Sequence, residues 1–196
     1  MNSCVSLSTL QSGRTLGKHG TELGVHYIGG KYSQILDNSE DHAPVIGLKM
    51  QFGLTKNFDL GFSADYTSMI SAHLKYQFLG SKTSLFAVSG GFETGFNFAG
   101  LLSGLSINYL TVPLYSSFHP QKYIALYYSP RYIFASDYQY ASESKDPMGL
   151  RDRANLFGNS YGFSFGTKHK VLFEIQHFDK VILKPTGFAI GYRFQF

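Results

Sequence analysis

The sequence predicts an all-β protein, a closed antiparallel transmembrane up-and-down β-barrel of about ten strands, with eight strands as the alternative. Apolar residues alternate with small or polar ones along many short segments, which is typical of β-strands with one apolar face. Only 15% of the 196 residues are charged, against roughly 25% in soluble domains, although the mean hydropathy is only -0.09. Membrane barrels combine both properties, because their lipid-facing and lumen-facing residues alternate and the two contributions nearly cancel.

The first half of the chain supplies four predicted strands. The first places Leu23, Val25 and Tyr27 on one face, and a polar segment, 29–41, follows it. The turn "TKN" separates the second strand from the third, and a tight connection near Met69 separates the third from the fourth. The apolar faces of these three strands are formed by Ile46, Leu48, Met50, Phe52, Leu54, Phe58, Leu60, Phe62, Ala64, Tyr66, Ala72, Leu74, Tyr76 and Phe78.

The second half supplies six more strands, one of them ambiguous. In the ambiguous strand, 105–115, the alternation changes phase near Tyr109, which predicts a β-bulge. Pro113 lies in the same strand, although proline is poorly tolerated in a central strand. The apolar faces of the other five are formed by Phe86, Val88, Phe92, Ile124, Leu126, Tyr128, Tyr132, Phe157, Tyr161, Phe163, Phe165, Val171, Phe173, Ile175, Phe188, Ile190, Tyr192, Phe194 and Phe196.

The apolar faces are predicted to point outward, into lipid. The chain contains 18 Phe and 14 Tyr, and most of them lie on these faces. The interior of an eight-stranded barrel is barely wide enough for its own side chains, so this number of rings does not fit inside about ten strands. We therefore expect Gly, Ser, Ala and scattered charges to face the lumen.

The chain closes on the segment "GFAIGYRFQF", in which Phe196 is preceded by Tyr192 and Phe194 at alternate positions. This ending resembles the C-terminal assembly signal of bacterial outer-membrane β-barrel proteins. The resemblance implies a Gram-negative outer membrane, contact with its lipid, and recognition of the last strand by the barrel-assembly machinery.

The connections between strands indicate the orientation. Short links at 55–57, 80–83, 117–122 and 167–170 fall on one end of the predicted barrel, and the longer inserts fall on the other. Outer-membrane barrels have short periplasmic turns and longer external loops. Both termini are therefore predicted to be periplasmic.

Residues 1–20 are predicted to form a polar periplasmic leader before the barrel of residues 21–196. Its start, "MNSC", resembles the cleavage site of a bacterial lipoprotein, in which the cysteine after a small residue is acylated. The resemblance implies a lipid anchor at Cys4, and the alternative is an unmodified cysteine near the terminus. The single cysteine excludes an internal disulfide in a monomer.

The predicted lumen contains charges of both signs in similar numbers. Unpaired charge is costly in a low-dielectric interior, so we expect these groups to pair and the lumen to be closed. A selective solute channel is the alternative. The predicted luminal groups are Glu22, His26, Lys49, Asp59, Asp65, His73, Lys75, Glu93, Arg131, Glu174 and Arg193.

One pair of luminal residues has the chemistry of a hydrolytic site. A hairpin centred near Met69 would place Asp65 opposite His73, and an Asp that orients a His is half of such a site. Ser63 or Ser71 is the candidate nucleophile. The alternative is a cross-strand pair that stabilises the hairpin.

Other motifs give little support to enzymatic chemistry. The predicted loops contain acids and a histidine of the types that omptin proteases use, without a shared spacing: Asp37, Asp41, His42, Asp137 and Asp152. The seven His residues lack metal-ligand spacing, and no phosphate-binding or dinucleotide motif is present. We expect no cofactor, and the dispersed positive charge indicates no nucleic-acid partner.

The sequence favours a structural or accessory subunit of a larger outer-membrane complex. This hypothesis depends on the self-neutralised lumen and on the lack of a catalytic motif. The alternatives are an outer-membrane hydrolase acting on lipid or peptide through His73 and Asp65, and a narrow solute channel.

Overall fold

A computed structural model describes residues 10–30, 32–33, 40–41, 44–102, 105–139, 149–179 and 186–196. Ten strands form a closed barrel in which each strand is antiparallel to both neighbours. The predicted fold class is confirmed, with ten strands rather than eight. The barrel strands are β1 (Thr21–Gly30), β4 (Val45–Gly53), β5 (Phe58–Asp65), β6 (Met69–Leu79), β7 (Phe86–Asn97), β8 (Leu105–Gln121), β9 (Ile124–Gln139), β10 (Gly149–Gly166), β11 (His169–Asp179) and β12 (Thr186–Gln195).

Three smaller elements lie outside the barrel sheet. The strands β2 (Tyr32–Ser33) and β3 (Glu40–Asp41) pair with each other, and the helix α1 (Phe98–Leu102) follows β7. Within the described ranges, no helix has the length and apolar character needed to cross a membrane.

The two ends of the barrel differ in their connections. The "turn end" carries the connections 54–57, 80–85, 122–123 and 167–168, together with the start of β1 and the end of β12. Gly80 (φ 86°) and Gly166 (φ 118°) adopt positive φ there, which glycine tolerates without steric cost. The "loop end" carries the turn 66–68 and the connections that follow β1, β7, β9 and β11. This separation confirms the predicted arrangement, although β8 continues to Gln121 where a link had been expected.

The large apolar side chains lie on the outside of the barrel. Phe62, Phe163 and Ile190 are 46%, 45% and 40% exposed, whereas Arg193 is only 7% exposed. Outward rings also pack across neighbouring strands, as Phe163 and Phe173 do with centroids 4.8 Å apart, an arrangement that stabilises paired strands. The predicted outward direction of the apolar faces is confirmed.

The lumen contains more apolar side chains than the sequence indicated. A buried apolar cluster lies mainly in its loop-end half, with Leu172 nearer the turn end, and glycines of adjacent strands make room for its rings. A Cβ added to Gly95 would lie 2.4 Å from the Tyr109 ring, and one added to Gly158 would lie 2.3 Å from the Phe178 ring. The cluster consists of Leu10, Ile28, Val45, Met69, Tyr109, Ile133, Ala135, Leu156, Leu172, Phe178 and Ala189.

The bulge expected near Tyr109 is wrong. The register of β8 runs unbroken through Tyr109 and Leu110 against both neighbouring strands. Tyr109 faces the lumen and Leu110 faces outward. Because both residues are apolar, the alternation in the sequence looks interrupted here although the strand is regular. Pro113 lies within β8, and the pairing of β8 with β7 skips Val112 and Pro113, as expected where a backbone N–H is missing.

Candidate functional site in the barrel lumen

Residues 10–16 lie inside the barrel, and we call them the plug segment. Leu10, Gln11, Thr15 and Leu16 are all 6% exposed or less. The expectation that all of residues 1–20 form a leader outside the barrel is therefore wrong for this part of the chain, because the luminal polar groups supply partners for its backbone. Cys4 lies outside the described residues, so its acylation stays a prediction.

The innermost contact of the plug segment is with two luminal charges. The backbone N–H of Leu10 donates to Glu174 Oε2 at 2.7 Å, and the Arg193 guanidinium donates to the carbonyl oxygen of Leu10. The Gln11 amide nitrogen lies 3.2 Å from His73 Nε2. Glu174 and Arg193, which have opposite charges, thus bind the N–H and the carbonyl group of the same residue, Leu10.

The middle of the plug segment fits closely against the wall at Gly13. Its N–H donates to Ser117 Oγ at 3.0 Å, and the Ser89 hydroxyl donates to its carbonyl oxygen. A Cβ at this position would lie 2.3 Å from the carbonyl oxygen of Ala87 and 2.9 Å from that of Tyr115. Only glycine allows this approach, since both neighbours are backbone atoms.

A single lysine binds the carbonyl groups of the two residues that flank Gly13. Lys75 Nζ donates to the carbonyl oxygen of Arg14 at 2.8 Å and to that of Ser12 at 3.4 Å. The same ammonium group lies 3.4 Å from Asp59 Oδ2, and both side chains are almost fully buried. The carboxylate compensates the buried charge that the peptide carbonyls alone would not neutralise.

The turn-end part of the plug segment is bound by side-chain acceptors of β5 and β6. The N–H of Thr15 donates to Gln77 Oε1 at 2.8 Å, and the N–H of Leu16 is 3.1 Å from each Asp59 carboxylate oxygen. The Gln51 amide also donates to Asp59 Oδ2 at 2.8 Å. Gln77 and Asp59 therefore each satisfy a peptide donor that would otherwise be buried without a partner.

The remaining luminal charges form a second group near the turn end and a set of single contacts. Glu22 accepts from Arg193 at 2.6 Å and from Lys170 at 2.8 Å. Seven of the eleven predicted luminal groups are buried and the other four are half-buried. The buried ones are Glu22, Asp59, His73, Lys75, Arg131, Glu174 and Arg193, and the half-buried ones are His26, Lys49, Asp65 and Glu93.

Two of these charges contact polar or aromatic wall groups. Arg131 donates to Ser160 Oγ at 2.9 Å and lies 4.9 Å from the Phe178 ring centroid. Glu93 accepts a hydrogen bond from the Tyr109 hydroxyl at 2.9 Å.

The predicted pairing of Asp65 with His73 is wrong. The register of β5 and β6 pairs His73 with Gly61 and Ala64 with Ile70, so the hairpin is centred two residues earlier than Met69. The Asp65 carboxylate instead accepts hydrogen bonds from the turn, including the backbone N–H of Met69.

The candidate nucleophiles are also engaged elsewhere. Ser63 Oγ and Ser71 Oγ are hydrogen-bonded to each other at 2.6 Å, while His73 contacts Gln11 of the plug segment. The parts of the predicted hydrolytic site therefore do not come together. Within the described ranges, no group of three His, Cys, Asp or Glu side chains could hold a metal ion.

The loop residues of the omptin comparison are only partly described. Asp37 and His42 lie outside the described residues. Asp41 lies in β3, and Asp137 of β9 pairs with Asp152 of β10.

The residues of the C-terminal signal lie on the outer surface near the turn end. Tyr192 and Phe196 are exposed, and the rings of Phe194 and Phe196 are 5.0 Å apart. Their strand, β12, pairs with both β1 and β11. Recognition of these residues by the assembly machinery stays a prediction.

A cavity of about 590 Å³ opens at the turn end between the plug segment and the wall. Its lining includes one lysine from each of three turns, namely Lys82, Lys122 and Lys168. Sequence analysis missed this site because it treated the turns as separators. The available signal was one lysine in each of the four turns, the fourth being Lys56.

No protein-family model and no curated protein sequence matches the chain. Several solved structures are similar to it, including the following three. The N-terminal β-barrel domain of Pseudomonas aeruginosa OprF is 12% identical, with a TM-score of 0.43 and coverage of 92% of this chain and 99% of that chain. The Yersinia pestis outer membrane protein Ail, in a phospholipid bilayer nanodisc, is 11% identical, with a TM-score of 0.46 and coverage of 91% and 100%.

The third is the translocator domain of the autotransporter NalP from Neisseria meningitidis. It is 9% identical, with a TM-score of 0.47 and coverage of 92% of this chain and 89% of that chain. At these identities and TM-scores, no property of the three proteins is transferred to this chain. The fold itself is a closed ten-stranded antiparallel barrel whose lumen holds a segment of its own chain.

Proposed function

We propose that the protein is an integral β-barrel of a Gram-negative outer membrane, closed to solutes, that acts as a structural or accessory subunit of a larger outer-membrane complex. The seated plug segment is the observation that carries the proposal. A lumen occupied by the chain itself leaves the outer wall and the two rims as the surfaces available for function.

The membrane location is supported by the outer wall. Outward Phe, Tyr, Leu and Ile side chains occur on every barrel strand, and soluble monomers rarely expose so continuous an apolar surface. An apolar band of this kind is the lipid-facing surface of outer-membrane barrels. In this proposal the turn end faces the periplasm, and the last strand is recognised by the barrel-assembly machinery.

Side chains and backbone in both halves of the barrel support the proposal that the lumen is closed. The plug segment crosses the middle of the lumen and enters the turn-end half, where hydrogen bonds with buried side chains of six strands hold it. The apolar cluster lies mainly in the loop-end half. Water and ions would have to cross both layers, so the native protein conducts poorly or not at all.

The accessory role is supported over the enzymatic alternative by the register of β5 and β6. It separates Asp65 from His73, and the Ser63 hydroxyl is engaged with Ser71. Neither a hydrolytic site nor an open pore therefore has a geometric basis in the described residues.

Two experiments test the proposal. Affinity purification from native outer membranes should recover a stoichiometric partner, whereas a protein that is always solitary would contradict the accessory role. In planar bilayers the folded full chain should give no steady conductance. A stable open state of the native protein would contradict the closed lumen.

A further inference from the structure

The cavity at the turn end has more positive charge than its ion pairs within the barrel neutralise. Seven Lys or Arg side chains line it, and Glu22 is the only acidic side chain among its described lining residues. Since Asp59 pairs with one of the seven, Lys75, seven positive charges face two carboxylates and leave an excess of five. Concentrated charge of one sign in a cleft attracts ligands of the opposite sign.

The excess charge is located in the turns and in the plug segment. Glu22 already accepts from Arg193 and Lys170. Among the described residues, no carboxylate forms an ion pair with Lys82, Lys122 or Lys168. These three lysines enter the cavity from three different turns, so they surround its mouth.

Arg14 adds a planar donor group to the same cavity. One of its terminal nitrogens donates to the carbonyl oxygen of Ser84, and its buried Nε has no hydrogen-bond acceptor among the described residues. A guanidinium fork with several donors matches the oxygens of a phosphate group, and lysine ammonium groups bind phosphate as point charges.

We propose that this cavity binds a phosphate-bearing anion with two or more negative charges. Its volume of about 590 Å³ is within the range of roughly 300–1,000 Å³ of small-molecule sites. The four cationic groups, Arg14, Lys82, Lys122 and Lys168, all line this one cavity. The site adds a ligand-binding role to the proposed closed barrel and does not depend on its membrane partner.

Calorimetric titration of inorganic pyrophosphate into the full chain, folded in a nonionic detergent at low salt, tests the proposal. Lys122→Gln combined with Lys168→Gln should weaken binding by about tenfold, because two cations at the mouth are lost. The matched control combines Lys18→Gln with Lys56→Gln, which removes two exposed turn-end charges that do not line the cavity. The control should change affinity by less than about twofold, since neither side chain lines the cavity and Coulomb attraction falls with distance.

A second arm identifies the source of the phosphate. Short-chain phosphatidic acid micelles, whose phosphomonoester can carry two negative charges, would assign the site to anionic lipid headgroups if they displace pyrophosphate while phosphatidylcholine micelles do not. Retained pyrophosphate binding in both micelles would assign it to a soluble phosphate compound. The single variants, each expected to weaken binding by about threefold, replace the double variant if it fails to fold.

Two results would overturn the proposal. The first is no measurable pyrophosphate binding by the native chain. The second is an equal loss of affinity in the cavity variant and the Lys18/Lys56 control, which would show attraction to the charged rim in general and no site in the cavity.

Discussion

Replacing Gly13 with alanine should displace the plug segment from the lumen. The added Cβ would lie 2.3 Å from the Ala87 carbonyl oxygen and 2.9 Å from that of Tyr115. Both atoms belong to the backbone of wall strands, so neither can rotate away. Overpacking of this kind costs about 1–3 kcal/mol.

The net free energy that favours the seated plug segment in the native protein is of similar size. Eight of its backbone groups bond to wall side chains, which contributes about 8 kcal/mol at about 1 kcal/mol each. Burial of Leu10 and Leu16 adds about 4 kcal/mol. Ordering seven backbone residues costs about 10 kcal/mol. The net preference is then about 2 kcal/mol, which a single alanine can cancel.

Cysteine labelling measures this equilibrium. Gln11 is 1% exposed, so in a Cys4→Ser, Gln11→Cys protein a maleimide should react slowly. Adding Gly13→Ala should raise the rate about 15-fold, because cancelling a preference of about 2 kcal/mol raises the displaced fraction from about 3% to about half. The control is Gly90→Ala, whose Cβ would meet only ordinary contact with Phe78 at 3.5 Å, and the rate should not change.

An unchanged labelling rate in the Gly13→Ala protein would refute this reasoning. It would mean that the plug segment is held far more strongly than its hydrogen bonds and apolar burial indicate, or that it does not occupy the lumen. A rise of equal size with Gly90→Ala would indicate general loosening of the barrel.

Two further experiments test the luminal contacts. Glu22→Gln should lower the free energy of unfolding in urea by about 3–5 kcal/mol, because the buried Arg193 loses its carboxylate. Exposed Lys56→Gln should change it by less than about 0.5 kcal/mol, and a cost below about 1 kcal/mol for Glu22→Gln would contradict the pairing. Asp65→Ala and His73→Ala should destabilise additively, within about 0.5 kcal/mol in a double-mutant cycle; a coupling above about 1 kcal/mol would restore the cross-strand pair.

The strand pattern and its sidedness could be predicted because they depend on local periodicity and on volume. Phe163 and Ile190 alternate with small or polar residues, and the number of rings exceeds what the lumen can hold. The hairpin centre was misplaced because Tyr66 continues the alternation after Asp65, although β5 ends at Asp65. A two-residue error in the turn was enough to create a false Asp65–His73 pair.

The plug segment could not be predicted from the sequence, for a physical reason. Residues 10–16 have no apolar period, and the wall binds mainly their backbone groups, which every residue possesses. The space for Gly13 is likewise created by strands far away in the chain, at Ala87 and Tyr115. The inward direction of the Phe178 ring was missed because the glycine that makes room for this ring, Gly158, lies on a neighbouring strand.

The central claim is that the bulky rings of the wall meet lipid, and adjacent residues on opposite faces of β10 test it most directly. The chain contains no Trp, so Phe163→Trp and Ser164→Trp each introduce one fluorophore without background. Phe163 is 45% exposed on the outside, and Ser164 lines the turn-end cavity. In vesicles with brominated acyl chains, the fluorescence of the Phe163→Trp protein should be strongly quenched and that of the Ser164→Trp protein should not. Quenching of the Ser164→Trp protein alone would contradict the claim.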